Sequence, residues 1–92
     1  MRIAIIGPGA VGTTIAYELQ QVLPHITLLG RTNKSIHFQP ANQHIIVKDI
    51  KSMTDPFDVI IVAVKTHQLE SLVPDLNRLT HDRSEEHTSE LQ

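Results

Sequence analysis

RIAIIGPGAVGTTIAYELQ, residues 2–20, changes its hydrophobic period in the middle. Ile3 to Ile6 form an unbroken apolar run with no polar alternation. Such a run suits a strand buried on both faces, as in a parallel sheet. Beyond Ala10 the apolar residues Val11, Ile15, Leu19 and Val22 recur at helical spacing, with Ala16 and Leu23 beside them. The turn between the two periods is Gly7-Pro8-Gly9-Ala10-Val11-Gly12, a G-x-G-x-x-G. Gly7 permits a sharp exit from the strand, bare Gly9 lets a pyrophosphate approach the backbone, and Gly12 lets the helix pack closely on the sheet. The helix N-terminus then offers free N–H groups and a positive dipole end to an anion.

Outward from this motif, Pro24 marks a helix boundary and residues 26–29 read as a second buried strand. Strand, glycine turn, helix and strand make a βαβ unit with a right-handed crossover. That order turns a weak glycine motif into the start of a Rossmann-type dinucleotide site. The expected fold class is α/β: a parallel sheet with flanking helices, the first part of a doubly wound domain. Ser35–Phe38 and Ile45–Ile50 read as short strands joined around Ala41–Gln43. Val59–Val64 is the strongest strand signal, rich in β-branched residues. Leu69, Leu72, Val73, Leu76 and Leu79 recur at helical spacing, and Pro74 is expected to kink this helix or split it. Thr66 or His67 is expected to cap it.

The end of the second strand discriminates between cofactors. A site for NAD(H) places an acid there to bind the ribose 2′-OH, and that acid repels a 2′-phosphate. Here the chain reads Gly30-Arg31-Thr32-Asn33-Lys34, and no acid occurs between Glu18 and Asp49. A guanidinium can hold a phosphate with two parallel hydrogen bonds, Thr32 can add a hydroxyl donor, and Lys34 a point charge. NADP(H) is the cofactor this implies. Lys65, directly after the Val59–Val64 run, sits at a strand end where ligands of open parallel sheets bind.

Composition narrows the partners. The chain has 92 residues, 40% hydrophobic and 20% charged, with a net charge of −2 and no cysteine. That balance favours neither nucleic acid nor an anionic membrane, and it allows no thiolate metal site. The histidines show no metal-ligand spacing, so no metal is expected. The longest apolar run is far too short for a transmembrane helix, and a cytoplasmic location is expected. The length suits one small domain and is short for a two-half dinucleotide fold with a substrate domain. Residues 83–92, RSEEHTSELQ, back-translate with one codon choice into a sequence resembling a common short-read sequencing adapter. The expected division is therefore a partial NADP-binding domain over 1–82 and a non-native, disordered tail over 83–92. Such a chain would leave a sheet edge open and be marginally stable.

Three stretches together resemble the ketopantoate reductases, or 2-dehydropantoate 2-reductases: the opening IAIIGPGAVGTTIAYEL, Arg31 after the second strand, and DVIIVAVKTHQLESLVPDL. The third is the most diagnostic, because many Rossmann families share the first. The resemblance runs from Met1 to about Leu79. It implies reduction of 2-dehydropantoate to pantoate with NADPH, on the route to pantothenate and coenzyme A. By the same resemblance Gly7 to Gly12 hold the pyrophosphate, Arg31 the 2′-phosphate, and Lys65 contacts the cofactor near the active site. The family's catalytic and substrate-binding residues have no counterpart here, so no catalytic residue is assigned. The partner implied is a small 2-oxoacid, with the oligomeric state open. Two other readings of the residues remain: another NADP-dependent 2-oxoacid, β-hydroxyacid or imine reductase, and a non-catalytic NADP(H)-sensing domain.

Overall fold

The computed structural model describes residues 1–23, 25–65, 68–80 and 84–91. Strands β1 (Ile3–Ile6), β2 (Ile26–Gly30), β3 (Lys34–Phe38), β4 (Gln43–Asp49), β5 (Val59–Lys65) and β6 (Glu85–Leu91) form one sheet in the order β3-β4-β2-β1-β5-β6. All neighbours pair parallel except β3 with β4, which are antiparallel. Helices α1 (Ala10–Gln20) and α2 (Leu69–Leu79) connect parallel strands. Short 3₁₀ turns at Gln39–Ala41 and Ile50–Ser52 follow β3 and β4.

The unbroken apolar runs of β1 and β5 are explained by two cores, one on each face of the sheet. Ala4, Ile6, Leu29, Ile60, Val62 and Val64 pack with Phe57 and Leu79, and Leu72 and Leu76 of α2 lie against them. Ile5, Leu28, Ile45 and Val47 pack with Ala16 of α1 on the other face, with Ile61 alongside. Successive strand residues point to opposite faces, so a sheet covered on both sides needs apolar side chains at every position. Each fully buried Leu or Ile contributes about 1.5–3 kcal/mol of transfer free energy.

Helix α1 lays three small residues, Gly12, Thr13 and Ala16, on the sheet. It ends at Gln20, and Val22 is 73% exposed, so the helical spacing that included Val22 and Leu23 overshoots the helix. Leu23 N–H still donates to Leu19 O at 2.8 Å, closing a final turn before the chain enters β2. Pro24 lies outside the described residues.

Helix α2 is unbroken through Pro74, so the expected split into two pieces does not occur. Pro74 carries no N–H for the carbonyl of Glu70, a loss that packing of Leu72, Leu76 and Leu79 offsets. Phe57 N–H donates to Leu79 O at 2.8 Å and ties the helix end to the entry of β5. Thr66 and His67, expected as caps, lie outside the described residues; Gln68 precedes the helix and makes no side-chain cap.

Residues 85–91, expected to be disordered, form β6 and pair with all of β5 from Val59↔Glu85 to Lys65↔Leu91. The outer edge of β5 presents a row of main-chain donors and acceptors, which an extended segment satisfies whatever its side chains. Ser84 Oγ–H donates to Phe57 O at 2.6 Å where the strand begins.

Candidate functional site

The chain moves away from β1 in opposite directions, to β2 on one side and β5 on the other. Open α/β sheets bind ligands at such a switch point, beyond the carboxyl ends of the strands. A cleft of about 230 Å³ lies there. Its floor is Ile6, Leu29 and Val64 at the ends of three strands, with Ile50 after β4 and Leu72 of α2. Its rim carries Gly7, Pro8, Gly30, Arg31, Thr32, Lys34, Gln68 and Ser71.

The glycine turn is fixed by backbone sterics. Gly7 has φ +113°, and a Cβ there would collide with the carbonyl of Ala63 in β5. A Cβ on Gly12 would collide with the carbonyl of Gly7, so the helix starts directly against the loop. Gly9 is different: a Cβ would meet nothing within 4 Å. The space above Gly9 is open, and it adjoins the first turn of α1. That turn has no side-chain cap and no acidic residue. Its leading N–H groups therefore face outward with nothing from the helix to satisfy them. Gly7 N–H donates to Leu29 O at 3.0 Å and Thr13 Oγ–H to Pro8 O at 3.2 Å, which pins both sides of the loop.

The structure gathers Gly7, Pro8, Arg31, Thr32 and Lys34 around one cleft. Gly9 and Ala10 line an adjoining groove on the far side of Pro8, shared with Thr13, Thr14 and residues 36–40. Val11 is half-buried and Gly12 buried, so these two shape the turn and line neither depression. Lys65 ends β5, beside the mouth of the cleft in sequence, and its side chain lies outside the described residues.

Charge in the cleft has one sign. Arg31 and Lys34 are exposed on the rim, and among the described residues no carboxylate lines it. Asp49 is the register partner of Gly30, but its Oδ1 accepts from Lys51 N–H at 2.9 Å and caps the turn that follows. The arrangement suits a ligand with an apolar body, one anionic group at the β2 end and another above the glycine loop.

Sequence reasoning overlooked Gly30, Ile50, Gln68, Ser71 and Leu72. Gly30 leaves room where a Cβ would come within 2.9 Å of Val47 Cγ1 and 3.0 Å of Pro8 Cγ. A glycine closing a strand immediately before a basic residue was the available signal. Ile50, at the end of the strand next to β2, had the same positional logic. Among the described residues, no group of His, Asp or Glu side chains could hold a metal ion.

Residues 3–85 match the family model described as "Ketopantoate reductase PanE/ApbA". Two Mycobacterium tuberculosis proteins (strains CDC 1551 / Oshkosh and H37Rv), each named 2-dehydropantoate 2-reductase, are 33% identical over 89% of this chain and 30% of their own length. A dimeric ketopantoate reductase from Staphylococcus aureus superposes with a TM-score of 0.91 at 52% identity, over 98% of this chain and 36% of that one. The chain thus spans about a third of the length of these relatives. Together with the glycine turn, the cationic strand end and the switch-point cleft, this match shows that the chain belongs to the ketopantoate reductase family.

Proposed function

We propose that this chain is the cofactor-binding part of an NADPH-dependent reductase that converts 2-dehydropantoate to pantoate. The observation that carries the cofactor reading is the cleft rim, which has Arg31, Thr32 and Lys34 and, among the described residues, no carboxylate. Family membership and the names of the relatives support the substrate. The fit of the dinucleotide rests on the uncapped start of α1 and the open space over Gly9.

In this reading the N–H groups at the start of α1 bind the pyrophosphate, and Gly9 keeps the approach clear. Arg31 grips the 2′-phosphate with its planar fork, and Thr32 and Lys34 add a hydroxyl donor and a charge. Pro8 stiffens the turn between them. Ala10 and Val11 supply two of the outward-facing N–H groups, and Gly12 keeps the helix close. Lys65, at the end of β5, takes the role of the family lysine that contacts the cofactor near the active site. The bound cofactor supplies a hydride, and the protein's contribution is to bind and aim it. Residues 1–82 form the cofactor-binding part, and 83–92 are foreign to it.

Two measurements on the full-length protein test this. Oxidation of NADPH should depend on added 2-dehydropantoate. Arg31→Ala should weaken NADPH by roughly 10- to 100-fold, the loss of one charge-assisted contact, and leave NADH almost unchanged. Equal weakening of both cofactors would remove the 2′-phosphate role.

A further inference from the structure

Asp75 lies in the middle of α2, far in sequence from the glycine turn, and is only 1% exposed. Its Oδ1 accepts from Arg78 Nη1 at 2.7 Å, and its two oxygens lie 3.2 and 3.1 Å from Lys51 Nζ. The same Arg78 guanidinium donates to the carbonyls at both ends of the 3₁₀ turn: Nη2 to Ile50 O at 2.7 Å and Nε to Met53 O at 3.1 Å. A single 3₁₀ turn has little stability of its own. This one carries Ile50, which lines the cleft together with Leu72 of α2.

The contacts continue on the other side. Asp49 N–H, at the start of the turn, donates to Asn33 Oδ1 at 2.8 Å. Asn33 lies between Thr32 and Lys34 in the basic loop. An unbroken series of hydrogen bonds therefore runs from α2 through the 3₁₀ turn to the cationic rim. A rigid connection matters here because a bound nucleotide must meet the apolar wall and the phosphate-binding rim at the same time.

We propose that the Asp75–Arg78 pair is a positioning device that locks the Ile50–Ser52 turn and the Arg31–Lys34 loop at the spacing a nucleoside 2′-phosphate requires. The inference rests on the nucleotide reading of the cleft. Asp75 orients the guanidinium, Arg78 holds the turn through two carbonyls, and Lys51 fastens the turn to the same carboxylate. None of the three residues lines the cleft.

The test uses the full-length protein and two ligands, NADPH and 2′,5′-ADP, which carries the 2′-phosphate without the nicotinamide. Arg78→Lys keeps a charge beside Asp75 but cannot reach both carbonyls. If the wall is then in place a tenth of the time, both dissociation constants rise by roughly tenfold. The KM for NADPH should rise with them while kcat stays near its original value, because the wall acts on binding only. Asp75→Asn should behave alike. Leu19→Ala, packed into the core on the opposite face of the sheet and lining neither depression, is the control for lost stability. It should lower the melting temperature and leave both constants unchanged. Should Arg78→Lys and Leu19→Ala lower the melting temperature equally with neither constant changed, the pair is merely structural and the proposal is overturned. A wild-type protein that binds neither ligand would sink the nucleotide reading itself, a result distinct from the first.

Discussion

Gly9 and Gly12 belong to one motif, yet substitution should separate their roles. A Cβ at Gly9 meets no protein atom, and its backbone (φ −76°, ψ −170°) is open to any residue. Gly9→Ala should therefore change folding stability by no more than about 1 kcal/mol, because the entropy gained through the unfolded chain opposes alanine's poorer fit at a helix N-cap, while weakening the dinucleotide. Gly12→Ala drives a methyl into the Gly7 carbonyl and should cost about 1–3 kcal/mol or more even without ligand. Thermal melts with and without NADPH read both effects, and equal losses of stability would contradict the division. Asp75 offers a second residue-scale prediction. Burial alone would raise its pKa, but hydrogen bonds from Arg78 and Lys51 outweigh this and hold it below the ordinary 3.8. A carboxylate with a depressed folded-state pKa adds stability above its unfolded value and loses it as pH falls through the folded one. The gap in urea midpoint between the wild type and Asp75→Asn should thus be full at neutral pH and close below about pH 3.8. A constant gap would refute it. Gly9 and Gly12 were legible because a G-x-G-x-x-G between a strand and a helix is a local pattern. The Asp75 cluster was not, because its partner Lys51 comes from another element. One signal existed: Asp75 shares a helix face with Leu72 and Leu79, and a carboxylate on an apolar stripe needs a partner.

Helix α2 shows how packing overrides local preference. Pro74 removes one main-chain hydrogen bond from the helix interior, yet Leu69–Leu79 remain one element because Leu72, Leu76 and Leu79 hold it to the sheet. The proline itself is exposed and carries no contact in the core. Pro74→Ala should restore the missing bond and raise stability by about 1–3 kcal/mol, visible as a higher urea midpoint with an unchanged slope. A midpoint that stays put or falls would mean the helix depends on the proline. For β1, α1, β2 and β5 the hydrophobic period alone located the elements, because each lies in a core that demands it. The β3–β4 hairpin was also legible, though its bounds shifted: β3 opens at Lys34 rather than Ser35, and β4 runs from Gln43, assigned to the connection, to Asp49 rather than Ile50. Here alternate residues face solvent, and main-chain pairing sets the limits more than side-chain burial does.

At the scale of the molecule the least legible feature is the last strand. EEHTSEL has no apolar period, and nothing in its side chains predicts β6. The pairing that places it runs through main-chain groups along the full length of β5. The radius of gyration, 12.3 Å, equals the roughly 12 Å expected of a compact chain of this length, so the body closes despite its polar final strand. The β5 edge is apolar and long, and an edge of that kind recruits whatever extended segment is at hand. This view separates three variants that a side-chain-driven strand would not. Scrambling residues 85–91 at fixed composition should leave hydrogen-exchange protection of the β5 amides intact. Placing proline at both His87 and Thr88 removes a ladder donor whichever residue faces β5, and should lose that protection. Ending the chain after Asp82 should lose it as well, and light scattering should then show association that grows with concentration as uncovered β5 edges find one another. Protection lost on scrambling alone would mean that the side chains of the tail, not its backbone, hold the sixth strand.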